Sequence, residues 1–88
     1  MQQVTLFVLK YCGYCRRARQ LLDEVLAAEE VLRSVPLRII DEGEERELAQ
    51  QYDYYYVPTF YIGDRKVHEG PVNREQISNI FHEALEQT

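Results

Sequence analysis

The only two cysteines of the chain lie in one tetrapeptide, Cys12-Gly13-Tyr14-Cys15. A disulfide between them would close almost no loop and would therefore add little to stability. The spacing fits reversible thiol–disulfide exchange or the binding of a metal through thiolates. A zinc site needs two more ligands, and the only histidines, His68 and His82, are separated by thirteen residues, outside the usual histidine spacing. We predict redox exchange and no metal, with half of a zinc site or two incidental core cysteines as the alternatives.

The cysteines follow a predicted strand and begin a predicted helix, and this position assigns them different roles. Residues 4–9, VTLFVL, predict a strand covered on both faces, and Cys15 falls in the first turn of the helix that follows. The free amides and partial positive charge at the start of that helix favour a thiolate at Cys12. Lys10 and Arg16 give this thiolate electrostatic support. A stabilised thiolate is a good leaving group, so we predict that Cys12 attacks and leaves and that Cys15 resolves the mixed disulfide.

Hydrophobic periodicity predicts three helices. Apolar residues at three- and four-residue spacing indicate helices over residues 15–26 and 77–85. Asn73 and Gln76 resemble a capping box at the start of the second of these helices. A short middle helix is predicted over residues 41–52, with acids in its first turn, where the helix dipole favours them.

The predicted strands indicate an α/β fold with a mixed sheet. Residues 37–40 form a second strand, parallel to the first because a helical crossover joins the two. Residues 59–62 and 66–69 flank Gly63-Asp64-Arg65, a connection of hairpin length, and predict an antiparallel pair. The predicted order is therefore β-α-β-α-β-β-α, with a four-stranded mixed sheet covered by helices.

Length and composition limit the chain to one small domain, residues 1–88. Hydrophobic residues make up 45% of its 88 residues, as in ordered globular proteins. The net charge of −5 repels nucleic acid and anionic membranes, so neither is an expected partner. The longest apolar run covers residues 6–9, far short of the roughly 18–20 needed to cross a bilayer, and no basic signal-peptide segment precedes it. We expect a cytoplasmic monomer.

Three features occur together: the apolar strand, Tyr11-Cys12-Gly13-Tyr14-Cys15 at the start of a helix, and Tyr56-Val57-Pro58-Thr59-Phe60 before the hairpin. In this combination the chain resembles the thioredoxin superfamily, most closely its small glutaredoxin-like and thioredoxin-like thiol-disulfide oxidoreductases. The resemblance implies a thioredoxin fold, a reversible disulfide of the two cysteines, exchange with protein or peptide disulfides, and no bound cofactor. It also implies a cis peptide before Pro58, which faces the cysteines. Substrate contacts are implied for Tyr11, Gly13, Tyr14, Val57, Pro58 and Thr59.

The resemblance is mixed with respect to glutathione. Tyr14 is what glutaredoxins place before the second cysteine, whereas Gly13 is typical of thioredoxins. Glutaredoxins usually carry a basic residue three positions before the first cysteine and a glycine pair after the hairpin, where this chain has Leu9 and Glu69-Gly70-Pro71. We predict that protein or peptide disulfides are the substrates and that a reductase, still unidentified, or glutathione as a co-substrate returns the electrons. A glutathione-dependent glutaredoxin, a homodimeric iron–sulfur carrier and a redox-inert interaction module are the alternatives.

Tyrosines crowd the approach to Pro58. They either pack against the middle helix and the end of the sheet, which we favour, or wall a substrate groove. The acids at residues 41–47 are interpreted as a solvated helix face, and His82 as an exposed residue. The basic group around Lys10 either attracts acidic partners or is solvated helix charge. The crowded tyrosines are Tyr52, Tyr54, Tyr55 and Tyr56.

Overall fold

The computed structural model describes residues 1–87 and has a four-stranded mixed sheet at its centre. The strands are β1 (Val4–Val8), β2 (Leu37–Asp41), β3 (Thr59–Ile62) and β4 (Arg65–Glu69). They lie in the order β2-β1-β3-β4, with β1 parallel to β2 and antiparallel to β3, and with β3 antiparallel to β4. The predicted parallel unit and hairpin are therefore confirmed.

Strand β1 is uniformly apolar because both of its faces are covered. All five of its residues are buried. Val4, Leu6 and Val8 point into the larger part of the core, whereas Phe7 packs on the other face with Ile40. Leu9, predicted as the last strand residue, lies beyond the strand and is partly exposed.

The helices are α1 (Gly13–Ala28), a 3-10 helix (Glu30–Ser34), α2 (Arg46–Ala49) and α3 (Arg74–Glu86). Helix α1 starts two residues earlier than the apolar pattern indicated. The 3-10 helix was not predicted, and it buries Leu32 where the pattern breaks. The capping box of α3 is confirmed: the backbone N–H of Gln76 donates to Asn73 Oδ1 at 2.8 Å, and that of Asn73 donates to Gln76 Oε1 at 3.0 Å. Within residues 1–87, the structure contains no helix with the length and apolar character that a membrane span requires.

The prediction that the acids at 41–44 begin a helix is wrong. Parallel pairing with β1 continues to the Val8–Asp41 pair, so Asp41 is the last residue of β2. The backbone N–H of Gly43 donates to Asp41 Oδ1 at 2.8 Å, and the chain turns there before α2 begins at Arg46. Strand pairing and this local turn outweigh the preference of acids for a helix start. Helix α2 is consequently only four residues long.

Candidate active site

Cys12 lies at the N-cap of α1, between the end of β1 and the first helical turn. Its backbone is extended, with φ −98° and ψ 118°, and its Sγ accepts a hydrogen bond from the backbone N–H of Cys15 at 3.2 Å. An anion at this position meets a free amide and the positive end of the helix dipole. The thiol is half-buried, so it is partly accessible to a substrate. The geometry favours negative charge on Cys12.

Cys15 lies beneath Cys12 in the core. Its side chain is 1% exposed and belongs to the same apolar cluster as Val8 and Leu22. Burial is the main cause that raises the pKa of the Cys15 thiol to about 12, and a hydrogen bond between the side chains of Cys15 and Cys12 is the second. Both cysteines are free thiols in this structure. The two thiols therefore differ in access, and only Cys12 is placed to meet a substrate first.

The segment before β3 comes from far along the chain and closes over Cys12. The Val57–Pro58 peptide bond is cis, and Pro58 is buried. The thiol of Cys12 points to the carbonyl oxygen of Val57, 3.9 Å away, across 45 positions of sequence. Thr59 is buried behind this segment, where its hydroxyl donates to the carbonyl oxygen of Tyr56. The structure thus brings Cys12, Cys15 and the Val57-Pro58-Thr59 segment together.

The other residues predicted to contact a substrate surround Cys12 at the surface. Tyr11 is 88% exposed and Tyr14 is 64% exposed. Gly13 begins α1, and a Cβ there would meet nothing within 4 Å, so space alone does not require glycine. Lys10 places its Nζ 5.8 Å from the centre of the Tyr11 ring, and Arg16 is exposed one turn beyond Cys12.

Residues 4–67 match the family model of Glutaredoxin. This range includes most of the chain and all of the site described above. The chain belongs to the glutaredoxin family. This membership supports a thiol–disulfide oxidoreductase type of function. The sequence has no significant match among curated proteins.

Solved structures similar to this glutaredoxin-family chain have the thioredoxin fold. Thioredoxin 2 from Pseudomonas aeruginosa PAO1, in its reduced form, is 22% identical with a TM-score of 0.73, over 96% of this chain and 79% of that one. A mutant thioredoxin from Halobacterium salinarum NRC-1 is 18% identical with a TM-score of 0.72, over 98% and 76%. A thioredoxin-like protein from Clostridium perfringens is 22% identical with a TM-score of 0.72, over 99% and 74%. The predicted thioredoxin fold is confirmed.

Acidic residues reach the redox site of this glutaredoxin-family chain from the end of β2. A cavity of about 460 Å³ beside Cys12 is lined by Lys10 and by Asp41 and Glu44. A second cavity, of about 520 Å³, lies beside Cys15 and is also lined by Lys10, Asp41 and Glu44. The cations predicted to support the thiolate are therefore opposed by carboxylates. The parallel pairing of β1 with β2 brings the two strand ends together, which the sequence spacing alone did not indicate.

The tyrosines before Pro58 divide into a packed pair and an exposed pair. Tyr52 and Tyr54 lie against Phe7, with ring centres 4.7 Å and 4.8 Å away. The Tyr54 hydroxyl donates to Glu42 Oε2 at 2.6 Å, and burial raises the pKa of Tyr54. Glu42 is therefore bound within the fold and is not part of a solvated helix face. Tyr55 and Tyr56 are exposed, so the interpretation that the tyrosines pack against the middle helix and the end of the sheet is wrong for this pair.

Glu69, the last residue of β4, holds the exposed tyrosine segment. Its Oε2 accepts hydrogen bonds from the backbone N–H groups of Tyr55, at 2.5 Å, and Tyr56, at 2.8 Å. Its Oε1 accepts from Lys66 Nζ at 2.8 Å. The hydrogen bond from Lys66, followed by those from the two backbone amides, lowers the pKa of Glu69 to about 2. No sequence pattern indicated this role for Glu69, which stands where a glycine was expected.

Each of the two histidines contacts another residue of the fold, and the two contacts are at separate places. Nε2 of His68 lies 2.7 Å from the carbonyl oxygen of Pro71. His82 is half-buried and not exposed as predicted, because its Nε2 lies 2.7 Å from Glu29 Oε1 at the end of α1. The Ser78 hydroxyl donates to the other Glu29 oxygen at 2.6 Å. These contacts join α3 to α1.

Proposed function

We propose that this glutaredoxin-family protein exchanges the disulfides of proteins or peptides through a reversible Cys12–Cys15 disulfide. The observation that carries the proposal is the asymmetry of the two thiols. Cys12 is partly accessible at the start of α1, whereas Cys15 is 1% exposed and donates its backbone N–H to Cys12 Sγ at 3.2 Å. The proposal includes no bound cofactor, because the two thiols carry both electrons of the exchange.

The first step is the attack of the Cys12 thiolate on one sulfur of the substrate disulfide. The substrate S–S bond breaks, a Cys12–substrate disulfide forms, and the second substrate sulfur leaves as a thiolate that takes up a proton. The start of α1 supports this step because its free amide and dipole stabilise a negative sulfur at Cys12. Cys12 Sγ is then the sulfur that Cys15 attacks in the next step.

The second step is the attack of Cys15 on Cys12 Sγ. The Cys15 thiol gives up its proton, the Cys12–substrate bond breaks, and the substrate sulfur leaves and is protonated. Substrate has then gained two electrons and two protons, and the protein holds a Cys12–Cys15 disulfide. The raised pKa of Cys15 keeps its thiol protonated at neutral pH while Cys12 makes the first attack. Cys15 therefore does not compete with Cys12 for the substrate.

An extended polypeptide fits beside Cys12 because Val57 offers a backbone edge there. The Val57 carbonyl oxygen lies 3.9 Å from Cys12 Sγ. A substrate strand that pairs with this edge gains main-chain hydrogen bonds whatever its sequence. This contact supports protein and peptide disulfides as the substrate class.

Glutathione is the second candidate, and membership of the glutaredoxin family favours it. Lys10, which lines the cavity beside Cys12, offers a cation for one of its carboxylates. Against glutathione as the preferred substrate, Leu9 replaces the expected cation, and the amides of Tyr55 and Tyr56 already bind Glu69. We therefore propose a dithiol as the reductant that reopens the Cys12–Cys15 disulfide, with glutathione as the alternative.

The proposal is tested by steady-state reduction of two substrates, a folded protein disulfide and a small glutathione mixed disulfide. Each is assayed once with a small dithiol and once with glutathione as the reductant. We expect efficient reduction of the protein disulfide with the dithiol, no activity of Cys12→Ser above the uncatalysed rate, and poor turnover of the glutathione mixed disulfide. Rapid, saturable turnover with glutathione would replace the proposal by a glutathione-dependent glutaredoxin. No turnover of either substrate would refute oxidoreductase activity.

A further inference from the structure

Exposed apolar surface is concentrated around the redox site. Among residues 1–87, seven large apolar side chains are exposed, and five of them lie in the segments that flank Cys12 or precede Val57. Single exposed apolar side chains are ordinary, but a group of them around a reactive residue marks an interaction surface. The five are Leu9, Tyr11, Tyr14, Tyr55 and Tyr56.

Tyr55 and Tyr56 combine exposed rings with a fixed backbone. Their side chains are 85% and 71% exposed. Both backbone N–H groups donate to the same oxygen of Glu69, and the Tyr56 carbonyl oxygen accepts from the Thr59 hydroxyl. Immediately after this segment, the backbone N–H of Gly70 donates to the carbonyl oxygen of Pro58 at 2.8 Å. The segment is held from β4 and from β3 while its rings remain free for a partner.

Two adjacent N–H groups that converge on one point form an anion-binding arrangement. In this protein the anion is internal, because the Glu69 carboxylate fills the position and Lys66 binds its second oxygen at 2.8 Å. An external carboxylate is therefore excluded from the amides of Tyr55 and Tyr56. The charge is used to order the backbone, and a backbone ordered in advance lowers the entropic cost of binding.

We propose that Glu69 is a positioning residue that fixes the Tyr55–Tyr56 backbone, so that the two rings form a docking surface for polypeptide substrates with apolar side chains beside the reacting cysteine. The inference rests on the proposed function and adds the chemistry by which substrates are selected. A polypeptide is favoured because its flanking side chains cover the rings while its disulfide reaches Cys12. Glutathione has two carboxylates, an amine and no apolar side chain, so the rings contribute little to its binding.

The kinetic test uses two peptide disulfides that are identical except for leucine or serine on both sides of the reacting cysteine. For the leucine peptide, Tyr55→Ser and Tyr56→Ser should each raise KM about five- to thirtyfold, as expected for loss of an aromatic contact residue. Tyr55→Phe should keep the wild-type KM. Glu69→Gln should raise the same KM severalfold, whereas Glu86→Gln, an exposed control on α3, should leave it unchanged. In all variants, kcat and the rate with the serine peptide should stay close to wild type.

A binding measurement separates this inference from the proposed function. Cys12→Ser is titrated with the leucine peptide, carrying serine in place of its cysteine, and the amide NMR signals of Tyr55 and Tyr56 are followed. Shifts there, without turnover by the wild-type protein, would uphold docking and refute the redox proposal. Turnover with the same KM in every variant would uphold the redox proposal and refute docking. The docking proposal is also overturned if neither amide shifts, or if the protein is a dimer that Tyr55→Ser dissociates, since a second copy would then cover the surface.

Discussion

The backbone N–H of Cys15 donates to Cys12 Sγ at 3.2 Å, so the residue that we propose resolves the mixed disulfide also holds the sulfur that we propose attacks first. This contact exists because α1 starts at Gly13 and places the N–H of Cys15 at the open end of the helix. Because the amide belongs to the backbone, it survives changes of the Cys15 side chain. Loss of the Cys15 thiol should therefore remove the second step of exchange and leave the first intact.

Cys15→Ser should accumulate a mixed disulfide through Cys12 when mixed with a protein disulfide, whereas Cys12→Ser should accumulate none. The reason is that the partly accessible thiol of Cys12 is expected to react first, whereas the buried thiol of Cys15 is needed only for release. Mass spectrometry after acid quenching and proteolysis identifies the trapped cysteine. The double serine variant is the control for adduct formation at other residues. Adducts found on Cys15 in the Cys12→Ser variant would reverse the two roles.

The release step should become faster as the pH rises. Burial raises the pKa of Cys15, and this burial is still present when Cys12 carries the substrate. Because the thiolate is the nucleophile, the rate of release should rise about tenfold per pH unit between pH 6 and 9. Stopped-flow measurement of substrate thiol release, in single turnover, gives this rate. A rate that is independent of pH would show that a neighbouring group accepts the Cys15 proton.

Protonation of Glu69 in acid should lower the free energy of unfolding. The folded pKa of about 2 lies below the ordinary value of 4.5, so the stabilisation by the ionised carboxylate is complete above pH 4.5 and is lost as the pH falls from 4.5 to about 2. Glu69→Gln should flatten this part of the profile of unfolding free energy against pH. Urea unfolding at several pH values measures it, with Glu86→Gln as the control. Equal acid sensitivity of the wild type and Glu69→Gln would contradict the pairing of Glu69 with Lys66 and the tyrosine amides.

Phe7→Ala should lower the free energy of unfolding by about 3–5 kcal/mol, the usual cost of removing a fully buried phenylalanine. Phe7 is 0% exposed and touches Tyr52, Tyr54 and Tyr61, so the cavity would open under the segment that leads to Pro58. Denaturant unfolding measures the change, and Phe7→Leu provides a milder variant if the alanine protein does not fold. Val31→Ala, at an exposed site, should change the value by less than about 0.5 kcal/mol. Similar losses of unfolding free energy for Phe7→Ala and Val31→Ala would contradict the burial of Phe7 in the core.

Most helices and strands were predictable because each depends on neighbours in sequence. The unbroken apolar run of β1, the periodic residues of α1 and the capping box of α3 are local patterns, and the structure confirms all three elements. The acidic segment was predicted wrongly because its conformation depends on β1. Asp41 pairs with Val8, 33 positions earlier in the sequence, and no local pattern shows that pairing.

The tyrosines show the same limit at the candidate site. Tyr52, Tyr54, Tyr55 and Tyr56 are chemically identical neighbours, yet two pack on Phe7 and two are exposed. Only the position of the sheet beneath them decides which rings find an apolar surface. The exposed pair is then held by Glu69, thirteen or more positions away.

The sequence by itself was enough to predict redox chemistry for this protein, because the two cysteines, the strand before them and the helix that they begin are consecutive in the chain. The tertiary structure alone decided the unequal burial of the two thiols, the approach of Val57 to Cys12, and the hydrogen bonds that fix Tyr55 and Tyr56 to Glu69. The physical reason is that burial and long-range hydrogen bonds depend on which distant segments the sheet brings together. Residue types set what a site can do, and packing sets which atoms meet and which remain open to a substrate.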